Sequence, residues 1–108
     1  EGYDIIMLTP QQTSHIKKQS IDLTVNVHSM QEMNDETIHS YFDLIDRISK
    51  LGGIFFCTNS MEKIMDGKPM RFLDYPWRSN TRTLIFEPDP LMRLANLSPS
   101  YIRMEQNI

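Results

Sequence analysis

The sequence has a single cysteine, Cys57, so no internal disulfide and no thiol-rich metal cluster is available to it. That usage suits a reducing compartment, and a cytoplasmic location is the expectation. Basic residues are also scarce: eleven Lys and Arg against fourteen Asp and Glu leave a formal charge of −3. No broad basic field exists to hold nucleic acid. Apolar runs are short, none approaching the ~20 residues of a spanning helix, so no membrane span is expected. The opening EGYDII lacks the basic start and apolar core of a signal peptide. Glycine is limited to Gly2, Gly52, Gly53 and Gly67, and none of them forms a G-x-G turn. There are no internal repeats or low-complexity tracts.

What remains is a chain of 108 residues, 40% hydrophobic and 23% charged, which reads as one globular α/β domain or part of one. Ile5 to Leu8 is a short apolar run of the kind that buried parallel strands show, and a strand over Tyr3 to Thr9 is expected. Thr9, Pro10 and Gln12 then supply a helix cap, a first-turn proline and a capping-box partner, which predicts a brief helix to about Lys18. Ile21 to Val27 is a second strand.

The clearest helix follows Asn34. Ile38, Tyr41, Phe42, Ile45, Ile48 and Leu51 recur at spacings of three and four and form one apolar stripe. Asn34 or Asp35 caps its start, and Gly52 supplies the stop. Asp43 with Arg47 and Asp46 with Lys50 stand four apart, as exposed ion pairs would. Ile54 to Cys57 is another strand, and it closes in Thr58, Asn59 and Ser60. Cys57, set among apolar neighbours, reads as a buried small hydrophobe. Met61 to Asn80 reads as irregular, with Asp66-Gly67 as a turn and Pro69 and Pro76 as breakers. Arg82 to Pro88 is a strand, Asp89 and Pro90 start a short helical link, and the final residues form a strand antiparallel to Arg82 to Glu87.

Two successive strands therefore end in small polar residues, the first in VNVHSMQEM and the second in FFCTNS. In parallel α/β sheets the carboxyl ends of strands are where ligands are held. IDLTVNVHSMQEM followed by YFDLIDRISKLGGIFFCTN resembles the fourth strand, loop, helix and fifth strand of class I, Rossmann-like methyltransferases that use S-adenosylmethionine. The segment DGKPMRFLDYPW is similar to one in sugar O-methyltransferases of bacterial polysaccharide pathways.

This resemblance, which runs from Tyr3 to about Tyr101, implies a partial methyltransferase sheet: parallel strands with helical crossovers and a C-terminal antiparallel strand pair. The glycine-rich turn and the acidic residue that hold the cofactor in that family have no counterpart here. The expectation is one partial domain, residues 1–108, inactive alone, whose exposed sheet edge invites a homodimer.

On this reading, His28 is the candidate general base that deprotonates a sugar hydroxyl, with Glu32 orienting it or binding a hydroxyl itself. Leu8, Thr9, Asn26 and Ser29 would flank the cofactor, and Gln31 would bind the sugar. Arg71, Tyr75, Trp77 and Arg78 would grip a sugar or polysaccharide precursor through planar faces and forked donors. Plainer roles stand beside these. His28 also reads as a residue that closes a strand, Glu32 as a loop anchor, and Thr9 as a cap. The aromatic residues of the 72–77 loop also read as packing, with the arginines facing water. No His, Asp and Glu spacing matches a metal cage. A non-catalytic α/β interaction module and another Rossmann-like nucleotide-sugar enzyme are the rival readings.

Overall fold

The computed structural model describes residues 2–108 as a mixed α/β fold. Strands β1 (Ile21–Val27), β2 (Ser49–Ser60), β5 (Thr81–Pro88) and β6 (Ser100–Asn107) make a four-stranded sheet in the order β1-β2-β6-β5. β1 runs parallel to β2, with Asn26 opposite Cys57 and Val27 opposite Thr58. Both β2 and β5 pair antiparallel with β6.

Helix α1 (Asp35–Ile48) makes the crossover between the parallel strands. Asn34 caps it by accepting the Thr37 N–H at 2.8 Å, leaving Asp35 and Glu36 free to complement the helix dipole in the first turn. Its buried residues Ile38, Phe42, Ile45 and Ile48 belong to the predicted stripe, and the first three pack in one core with Phe55 and Cys57 of the inner sheet face. The helix stops before Leu51, which is exposed, because Ser49 already begins β2. Gly53 explains how closely the strands approach there. A Cβ on it would lie 2.9 Å from the Lys50 carbonyl oxygen and 3.0 Å from that of Ile21.

Four expectations are corrected. Residues 3–9 form no strand, and Tyr3, Ile5, Ile6 and Met7 are exposed. An apolar run becomes a buried strand only beside a partner, and the outer edge of β1 pairs with nothing among the described residues. The next element is a 3-10 turn, Pro10–His15, rather than a helix to Lys18, although the Gln12 side chain does accept the Thr9 N–H at 2.9 Å. Residues 61–80 are not irregular throughout, since β3 (Glu62–Met65) and β4 (Lys68–Arg71) form a hairpin. Asp66 and Gly67 both take positive φ, 51° and 73°, as a type I′ turn requires.

The helix ion pairs are also rearranged. Asp46 meets Arg78 at 3.5 Å and Lys50 meets Asp22 at 3.0 Å, while Arg47 donates to the carbonyls of Ile16 and Thr13. A tertiary partner wins because an exposed pair within one helix turn stabilises by only ~0.2–0.5 kcal/mol.

α2 (Pro90–Leu94) is capped by Asp89, whose side chain accepts the Leu91 N–H at 2.9 Å. Asp89 also accepts from Thr58 Oγ1 at 3.0 Å, tying this link to the end of β2. No helix is long and apolar enough to cross a membrane.

The two sheet faces differ. Register sets Asn26, Cys57, Arg103 and Phe86 on the inner face, beneath α1 and the 72–77 loop. Val25, Phe56, Met104 and Ile85 share the outer face.

Candidate strand-end site

The carboxyl ends of β1 and β2 lie side by side, and the His28 N–H donates to the Thr58 carbonyl at 2.8 Å, one residue past the last strand pair. His28 then takes φ +53°, a left-handed conformation uncommon for a residue with a Cβ. That turn lifts the chain off the sheet into a 3-10 turn, Met30–Glu32, and folds it back over the end of β2.

Hydrogen bonds fix every amide in this corner. The Gln31 backbone N–H can only donate, so the Asn59 atom 3.0 Å away is its oxygen. The Asn59 amide nitrogen therefore donates to Asn26 Oδ1 at 3.0 Å, and also to Cys57 Sγ at 3.2 Å. Asn26 in turn donates through Nδ2 to Ser29 Oγ at 2.7 Å. On the other side, the Ser60 N–H donates to Gln31 Oε1 at 2.8 Å and the Ser60 hydroxyl does so at 2.9 Å.

His28 Nδ1 lies 3.1 Å from the same Gln31 oxygen. An acceptor that already takes a backbone N–H cannot donate, so Nδ1 carries the proton. The neutral imidazole thus keeps its lone pair on Nε2, and a half-buried histidine in this tautomer is a proton acceptor held in one orientation.

Glu32 does not orient His28. Its carboxylate is 2.8 Å from Lys63 Nζ on β3, and that hydrogen bond and charge hold its pKa below the ordinary carboxylate range. Gln31 has the orienting role instead. Asn59 and Ser60, which complete the network, were marked in the sequence only as polar residues ending a strand. Their part depends on the parallel register that sets them beside Asn26 and Gln31.

Of the residues matched to the cofactor, Asn26 has both ends of its amide engaged within the protein, and Ser29 receives one of those bonds. Leu8 and Thr9 lie on the exposed segment before the first 3-10 turn.

The residues matched to the acceptor do not converge on His28 as a group. Tyr75 is buried and its hydroxyl pKa is driven up by desolvation. Trp77 is half-buried, donates to the Phe72 carbonyl at 2.9 Å, and packs edge-on to Phe42 with ring centroids 5.1 Å apart. The Arg103 guanidinium stacks on the Trp77 indole, 4.5 Å from the ring centre. The Arg78 side chain, only 6% exposed, donates to Asn107 at 2.9 Å. Arg71 faces outward on the hairpin and pairs with Glu62 at 3.2 Å. Among the described residues no three His, Cys, Asp or Glu side chains converge as a metal site would require.

Comparison of the chain with protein-family models, curated proteins and solved structures finds no significant match.

Proposed function

We propose that this chain is the acceptor-activating part of an S-adenosylmethionine-dependent methyltransferase whose substrate is a sugar hydroxyl. The observation that carries the reading is the fixed tautomer of His28 at a parallel strand end: Nδ1 donates to Gln31, and Nε2 is left to take a proton. A sugar hydroxyl is barely acidic at neutral pH, and a positioned imidazole is the side chain suited to accept its proton. Two parallel strands joined by a helix and closed by an antiparallel terminal pair are what the resemblance implies for the second half of such an enzyme. Cofactor-holding elements are absent from these residues and would have to be supplied by other polypeptide, so the chain alone is expected to be inactive. A reducing cytoplasm suits its single buried thiol.

The test is transfer of labelled methyl from S-adenosylmethionine to a panel of sugar acceptors, by the natural polypeptide that contains these residues. His28→Ala should lower turnover ~10²-fold or more while the circular dichroism spectrum is unchanged. Undiminished turnover in the variant removes His28 from the role. Failure of the unaltered protein to bind the cofactor or methylate any sugar removes the methyltransferase reading.

The rival reading, a non-catalytic interaction module, is favoured by the unpaired outer edge of β1. Association with a partner protein and indifference to the cofactor would support it.

A further inference from the structure

We infer that a second copy of this chain covers the outer face of the four-stranded sheet. The inner face is covered by α1 and the aromatic loop, whereas the outer one presents Leu23, Val25 and Val27 at 57%, 55% and 52% exposure. Register continues the patch across Phe56 and Met104 to Ile85, itself 38% exposed. This is one contiguous apolar surface, not a scatter of single residues.

Its size decides what it is for. The exposed Leu23, Val25, Val27 and Ile85 lie together on it with the half-buried Ile54, Phe56, Ile102 and Met104, and the largest patch on an ordinary monomer is about 300–600 Å². A standard interface takes ~800 Å² from each partner, so a dimer on this face uses the polar rim of Gln106, Arg82 and Glu87 as well as the apolar centre. Sheets that pack face to face do so about 10 Å apart with interdigitated apolar side chains, which is the surface chemistry present here.

The charges say how the copies are arranged. Two charged residues of β5 on this face, Arg82 and Glu87, stand near opposite ends of that strand, while the buried Asp89 carboxylate on the same side is already held by the Thr58 hydroxyl. Arg82 lies on this face, where it donates to Gln106, and Glu87 shares the face through its register with Ile102. A two-fold axis parallel to the sheet, midway between the two copies and running across the strands, lays β5 antiparallel over the partner's β5. Each Arg82 then meets the partner's Glu87, so the face complements itself in charge as well as in apolar area. This inference does not depend on the methyltransferase reading.

Light scattering coupled to size exclusion tests it on the 108-residue chain. A dimer is expected. Val25→Lys, at an exposed position and confirmed as folded by circular dichroism, should give a monomer. Arg82→Glu should weaken the dimer about tenfold, and adding Glu87→Arg should restore it. A monomeric parent chain overturns the inference, and uptake of a hydrophobic dye by that monomer would assign the face to a different partner. A dimer indifferent to Val25→Lys, or one not rescued by the charge swap, overturns it too, because association then uses another surface such as the β1 edge.

Discussion

Gln31 Oε1 lies 3.1 Å from His28 Nδ1 and 2.8 Å from the Ser60 amide nitrogen, so one carbonyl oxygen links the turn after β1 to the end of β2 and sets the imidazole tautomer. Nitrogen-15 spectra of the neutral protein should therefore show His28 with a protonated Nδ1 and a pyridine-like Nε2. In Gln31→Ala the two tautomers should both be populated. A protonated Nε2 in the unaltered protein would remove the candidate base.

Phe72 is the centre of the aromatic loop. It is fully buried, with ring centroids 4.9 Å from Trp77 and 5.3 Å from Tyr75. Phe72→Ala should cost ~3–5 kcal/mol in urea unfolding. The neighbouring Leu73 is exposed, and Leu73→Ala should change stability by no more than ~0.5 kcal/mol. Equal effects at the two positions would mean that the loop is not seated on the sheet as described.

Burial pushes the Cys57 thiol up to about 12. An unfolded thiol titrates at about 8.5, so above that pH the unfolded chain loses this proton while the folded one retains it. The contribution to stability is complete below the unfolded value and is progressively lost as pH rises toward the folded one. Native protein at pH 8 should resist a thiol reagent that reacts promptly in urea. A Cys57→Ala variant should lose the alkaline decline assigned to the thiol.

Gly53→Ala should destabilise by ~1–3 kcal/mol, since the added methyl meets two backbone carbonyls that cannot swing aside. Chemical denaturation measures the loss. A neutral result would mean that β1 and β2 are farther apart at this point.

The strands and the long helix were legible where a pattern reflected burial. Ile38, Phe42 and Ile45 repeat at helical spacing because one face of α1 meets the sheet, and Ile54 to Cys57 reads as a strand because it lies inside. Ile5 to Leu8 has the same apolar signature without the neighbour that would make it a strand. The β3–β4 hairpin was obscured by Pro69, which argues against a central strand. In a two-stranded ribbon every strand is an edge, so Pro69 sits opposite Ile64 without breaking the pairing. At the site, the polar strand ends were visible in the sequence but their pairing was not. Glu32 was set beside His28 by proximity along the chain, while its actual partner Lys63 lies 31 residues on.

β6 separates β2 from β5, though it follows both in the chain. During synthesis β5 therefore emerges with no mate, and the sheet stays open along its middle until Ser100–Asn107 threads into the gap. Clipping those eight residues would not trim a border; it would cut the fold into two halves with no hydrogen-bonded ladder between them.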